Sequence, residues 1–139
     1  MVWDILLIGS GVFTVTLGTI HFFLPTFLRY RNAILETDAP IDAPFVLPIF
    51  NYETHRGDLY GIVWIMNHAA SYTLVSIGLL DIIGRGWLRA DGDWLALWIA
   101  GWWFLRVGSQ AYMGRRWGDY VVMAVFALLG VIHVAVFVG

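Results

Sequence analysis

The sequence predicts an all-α, polytopic integral membrane protein, built as an antiparallel four-transmembrane-helix bundle with a long first loop. Three observations predict it. Four segments of about 20 residues are free or nearly free of charge, and each supplies the roughly 30 Å of helix that hydrocarbon requires. Charged residues make up 13% of the chain, half the share usual in a soluble domain, and they gather between those segments. None of the segments carries the opposing charged face that a helix of a soluble bundle presents to water. Little chain is left over for a soluble core, so residues 1–139 are expected to form one membrane domain.

The first span runs from Ile5 to about Leu24 and is closed by Pro25, which lacks the N–H a helix needs. The start, Met1-Val2-Trp3-Asp4, has no basic stretch and no small-residue cleavage site follows, so this segment reads as a retained span and not a signal peptide. The second span, Leu59 to Leu80, is uncharged and bounded by Asp58 and Asp81. The third runs from about Trp94 to Met113 and contains Arg106; the fourth, Tyr120 to Gly139, is uncharged. The connections at Gly84–Asp93 and Gly114–Asp119 are short polar turns, which make neighbouring helices antiparallel.

The first connection, Pro25 to Asp58, is long and carries Pro40, Pro44 and Pro48 among apolar residues. Long loops without structure of their own are uncommon in compact domains and often functional. Two readings fit it: an ordered or re-entrant cap on the bundle, or an interfacial segment anchored by Phe45, Phe50 and Tyr52. Arg29, Arg31, Arg56, Arg115 and Arg116 fall on the side of that loop, against Arg85, Arg89 and the amino terminus on the other. The bias orients the long loop to the cytoplasm of a cell inner membrane, with both termini outside. Trp3, Trp87, Trp94 and Trp117 sit near the predicted boundaries, as interfacial aromatics do. Glycines in all four spans allow close helix packing without bearing on function.

Composition excludes several classes. A net charge of -2 is incompatible with a generally basic nucleic-acid surface. With no cysteine, thiolate catalysis, disulfides and cysteine-ligated metals are unavailable; with no lysine, so is a Schiff base. No dinucleotide fingerprint, phosphate loop, zinc-protease helix or serine elbow is present. Membrane lipids are the expected surroundings, with other membrane subunits or further copies of the chain as partners.

Polar residues inside the spans carry whatever chemistry there is, because hydrocarbon excludes them unless they are paired or used. Counting 1.5 Å per residue from the long-loop side puts His21 and Gln110 about 5 Å deep, Arg106 about 10, Asn67 and His68 about 15 and His133 about 20. His21, His68, Arg106 and Gln110 are therefore expected to converge on that side, with His133 lower. A buried guanidinium must pair, snorkel or bind. Glu53 or Asp58 can fold over Arg106, or Arg106 can hold an anion or the carbonyl oxygens of a quinone; the plain alternative is snorkelling to headgroups. An imidazole at His68 can bind metal or move protons, with Asn67, Ser71 and Tyr72 within about a turn to orient it; the plain alternative is an interhelical hydrogen bond. His68 and His133 on antiparallel helices can also face a haem from both sides, and His21 and His68 with Glu53 or His55 offer donors to a non-haem metal.

The candidate catalytic residues are thus His68, Arg106, His21, Asn67, Glu53 and His55. Candidate cofactor-binding residues are His68, His133, Arg106 and Tyr72, and candidate metal ligands are His21 and His68. Quinone, haem and a non-haem metal are the cofactors considered.

One local stretch, Gly18-Thr19-Ile20-His21-Phe22-Phe23-Leu24-Pro25-Thr26-Phe27, resembles the first-helix ending of DoxX-like small four-helix membrane proteins. The resemblance covers about ten residues plus the four-span layout and size, and excludes the long loop and Asn67-His68. It implies association with quinol oxidation assemblies or with thiol and sulfur redox chemistry, with His21 as the carried-over position. The expected function is a redox-associated or accessory subunit of a membrane complex. The alternatives are a small enzyme acting on a lipid- or quinone-like substrate, a haem or metal binder, and a transporter or channel.

Overall fold

A computed structural model of the protein describes residues 2–35, 55–113 and 116–139. Among them are six helices and no strand: α1 (Val2–Phe27), α2 (Tyr30–Ile34), α3 (Arg56–Ile83), α4 (Arg85–Leu88), α5 (Asp93–Met113) and α6 (Trp117–Val138). Three of them, α1, α3 and α6, are long and apolar enough to cross a membrane. The third predicted span coincides with α5, which has the length but also carries Arg106, Gln110 and Trp94, Trp98, Trp102 and Trp103. The proline-rich cap expected between the first two spans, with Glu53, lies outside the described residues.

Two boundaries correct the sequence reading. Pro25 does not close the first helix: α1 continues to Phe27, and the chain turns only at Arg29, whose left-handed backbone has φ 50 and ψ 47. A proline one turn from a helix end removes a single hydrogen bond, and a substitute donor for it is described below. Asp81 does not bound the second helix either. Asp81 is buried with its carboxylate bonded to Ser10 and His133, so α3 runs on through it to Ile83. The stretch after it is also more than a polar turn, since α4 forms there and buries Leu88 completely.

The chain divides into two compact units, one of Met1–Val15 with Ser76–Gly139 and one of Thr16–Val75. In the first, Leu7, Ala96 and Val136 form a buried cluster with Trp3 and Phe137 against it. Contacts between α1 and α3 pair rising with falling numbers. Asp4 meets Arg89 beyond the helix end at 3.1 Å, Ser10 meets Asp81, and Gly11 meets Gly78. That last approach depends on both glycines: a Cβ at Gly11 would stand 2.6 Å from the Gly78 carbonyl oxygen, and one at Gly78 would stand 2.7 Å from that of Gly11. On α5 and α6, Trp94 meets Phe137 and Trp103 meets Phe126, each at 5.3 Å between rings, while Gln110 Nε2 donates to Asp119 Oδ1 at 2.8 Å.

In the second unit the later half of α1 packs on the earlier half of α3. Gly18 permits this, because a Cβ there would lie 2.9 Å from that of Leu74. The start of α3 is capped by its own third residue, with Asp58 accepting the His55 backbone N–H at 2.9 Å.

Candidate functional site

The polar residues of the second unit form a connected set that starts from a missing hydrogen. Pro25 has no N–H to give to the carbonyl of His21, four residues before it. Asn67 supplies the donor instead: its Nδ2 gives a hydrogen bond to His21 O at 2.9 Å, and its side chain is buried. In an apolar surrounding an unpaired carbonyl is expensive, and a neighbouring helix's side chain is the usual remedy at a proline. Asn67 therefore serves α1 through Nδ2.

One turn further along α3, the Ser71 hydroxyl donates to Asn67 O at 2.8 Å. Its single hydrogen is used there, so the 3.1 Å contact with His21 Nδ1 has Ser71 Oγ as acceptor and Nδ1–H as donor. The local hydrogen bonds thus fix the tautomer of His21 in its neutral form.

His68 is held differently. Its Nδ1 lies 2.8 Å from Trp64 O, so Nδ1 carries the hydrogen. The ring stacks on Trp64, with centroids 3.8 Å apart, and meets Phe22 edge-on at 4.5 Å. In the neutral ring Nε2 then bears the lone pair, and it makes no hydrogen bond among the described residues. His68 lines an open groove of about 290 Å³ between α1 and α3, walled by Phe22, Phe23 and Val75 and floored by Gly18. Ser71 and Tyr72 add hydroxyls to it. The arrangement is an apolar slot with one basic nitrogen, held by aromatic rings on two sides.

The other candidates fall elsewhere. His55 sits at the cap of α3, where its backbone N–H is the bonded group. Glu53 lies outside the described residues. Arg106 and His133 belong to the first unit. The guanidinium of Arg106 is half-buried, stands 5.7 Å from the centre of the Phe126 ring, and makes no ion pair among the described residues. Gln110, one turn on, is engaged by Asp119. His133 is completely buried and uses both nitrogens, Nδ1 toward Leu129 O at 2.8 Å and Nε2 toward Asp81 Oδ1 at 3.0 Å. Both ring nitrogens of His133 are thus engaged within the chain. Among the described residues no three histidine or carboxylate side chains gather as a metal would require.

Sequence reasoning missed Asp81. It read the charge as the end of a span, whereas the carboxylate is completely buried and also accepts from Ser10 Oγ at 2.9 Å. The signal was present in His133, a titratable group in an otherwise uncharged predicted span, which needs a polar partner of its own.

Comparison with family models, with curated proteins and with solved structures gave no match, so the DoxX-like resemblance of residues 18–27 gains no support from them.

Proposed function

We propose that the chain is a redox-associated integral membrane protein of four spans, whose groove on α1 and α3 binds the headgroup of a hydroxyl-bearing, quinol-like amphiphile. The observation that carries this reading is His68. Its Nδ1–H is committed to Trp64 O, so the neutral ring can only accept at Nε2. A quinol O–H satisfies that nitrogen; a quinone carbonyl does not unless the imidazole is protonated. The groove is at the small end of ligand sites, enough for a ring while the apolar tail stays among lipid.

Membrane residence is supported by the outward-facing apolar side chains of the long helices, among them Phe22, Trp64, Trp98, Phe104 and Leu128. Hydrocarbon solvates such a surface, whereas water does not. α5 is counted as the fourth span because it packs along α6 in opposed numbering, with Arg106 lying over Phe126. Both termini then lie on one side, outside the cytoplasm by the arginine bias.

Two experiments test this. With no native cysteine, single cysteines are clean reporters of sidedness. At positions 31 and 116 they should react from one side of the membrane, and at 85 and 89 from the other. Labelling of 89 and 116 from the same side would remove α5 as a span. For the groove, quenching of Trp64 fluorescence by a short-chain quinol should exceed that by the matching quinone at alkaline pH. One hydrogen bond of about 0.5–1.5 kcal/mol corresponds to roughly a 2- to 10-fold difference in Kd. His68→Phe should abolish the preference, and equal binding of both forms by the unaltered protein would sink the reading.

A further inference from the structure

Arg106 is a charge that neither the groove nor the Asp81–His133 contact uses. Its guanidinium carries five N–H donors and stays charged. Among the described residues it makes no hydrogen bond and no ion pair, and its contact is with the face of Phe126, 5.7 Å from the ring centre. A ring face attracts the cation but offers no oxygen to its N–H groups. Trp103 packs on the same ring at 5.3 Å and brings a second donor that has no partner among the described residues. Two donor side chains therefore meet at one buried ring, and neither finds an acceptor.

The carboxylates of the first unit lie elsewhere or are taken. Asp119 stands about two turns nearer the start of α6 than Phe126 and accepts from Gln110 and the Arg116 backbone. Asp81 is held by Ser10 and His133, and Asp4 by Arg89. Asp91 and Asp93 are at the opposite end of α5. Snorkelling does not supply the missing charge either. With α5 as a span, Arg106 and Phe126 stand about 10 and 13 Å inside the ends of their helices at Met113 and Trp117. Tyr112 and Trp117, both strongly exposed, mark that boundary as interfacial aromatics do. A helical side chain leaves the backbone leaning toward the helix N-terminus, which for α5 is the far, Asp93 end. The side chain thus starts away from the nearer surface, and Phe126 keeps the guanidinium at the deeper level.

We propose that Arg106 binds the phosphate or carboxylate head of a membrane amphiphile at the seam of α5 and α6, below the level of the neighbouring headgroups. The planar fork of a guanidinium matches two oxygens of either group. The surface beside it is apolar: Leu105 is exposed, as is Val122, one turn before Phe126 on α6. A free anion would lose its water there and gain one partner, whereas an anion on an apolar tail has both ends accommodated. The proposal rests on α5 being a span, which the cysteine labelling decides separately. It is independent of the His68 groove and stands if the quinol reading falls.

The test uses the full chain in phosphatidylcholine nanodiscs and follows tryptophan quenching by three brominated probes: phosphatidic acid, a fatty acid and phosphatidylcholine. Trp102 and Trp103, about one turn before Arg106, report on its surroundings. At least one anionic probe should quench at a mole fraction about 10-fold below that of phosphatidylcholine, the effect of one charge-assisted contact, and which one does so identifies the head. Arg106→Gln should remove the difference, and Arg106→Lys, which keeps the charge without the fork, should retain part of it. Equal quenching by anionic and zwitterionic probes would overturn the proposal, as would a preference that survives in Arg106→Gln. Displacement of the anionic probe by an equal concentration of inorganic phosphate would overturn it in favour of a free anion. A preference that appears only in Glu53→Gln would overturn it too, by making Glu53 the natural counter-charge.

Discussion

Replacing Asn67 by leucine, close to it in size, should destabilise the protein only as long as Pro25 is present. The His21 carbonyl loses its i+4 donor to proline and regains one from Asn67 Nδ2 at 2.9 Å. Asn67 is 7% exposed, so water cannot readily take over when the amide goes. Side-chain hydrogen bonds between membrane helices are worth about 0.6 kcal/mol on average and up to about 1.7. An orphaned buried acceptor costs about 1–3 kcal/mol. Asn67→Leu should therefore cost about 1–2 kcal/mol in the natural background. In a Pro25→Ala background the restored N–H of residue 25 reaches His21 O within the helix, and the same substitution should cost well under about 1 kcal/mol. The quantity to measure is the coupling energy of the four-protein cycle, from reversible unfolding in mixed micelles. Pro25→Ala changes the unfolded chain as well, but that contribution cancels in the cycle. Coupling below about 0.5 kcal/mol, the usual limit of additivity for independent sites, would refute the idea that Asn67 stands in for the missing proline hydrogen.

Three further outcomes are expected. Gly78→Ala places a methyl group 2.7 Å from the Gly11 carbonyl oxygen, and forcing the backbones apart should cost about 1–3 kcal/mol in the same assay, whereas Gly101→Ala, which meets nothing within 4 Å, should be neutral. Trp103 is completely buried and its indole N–H has no partner among the described residues. Trp103→Phe should then cost no more than about 1–2 kcal/mol against about 3–5 for Trp103→Ala, and equal losses would mean that the N–H is bonded after all. Asp119→Ala removes acceptors from both Gln110 and the Arg116 backbone and should lower stability by about 1–2 kcal/mol, with hydrogen exchange rising first at the start of α6.

The helices were legible in the sequence because uncharged runs of spanning length leave few alternatives. Their ends were not, because a helix continues wherever its backbone bonds are met and does not stop where the apolar run stops; α3 outruns its apolar stretch by three residues at each end. His21, Asn67 and His68 stood out in the sequence as polar residues within apolar runs. What each does was not legible, since it depends on partners distant in sequence: Asn67 on a carbonyl 46 residues earlier, and His21 on a serine 50 residues later. Within His21–Pro25, though, the i,i+4 spacing did announce an unsatisfied carbonyl. Asp81 was lost to a rule that treats charge as a boundary. Its partners Ser10 and His133 lie 71 and 52 residues away, beyond any local pattern.

Several polar side chains in these helices give their hydrogen to the carbonyl four residues earlier: Thr14 to Ser10, Ser71 to Asn67, Thr73 to Ala69, Ser109 to Leu105, His68 to Trp64 and His133 to Leu129. Each donor is therefore quenched inside its own helix before any other helix is present. What these side chains keep for contacts with other helices is acceptor character: a hydroxyl lone pair, a second ring nitrogen. Asn67 and Asp81 break that pattern, one bringing a donor and the other a carboxyl group that its own helix does not satisfy. The helix that carries both, α3, is accordingly the one whose polar side chains depend most on its neighbours.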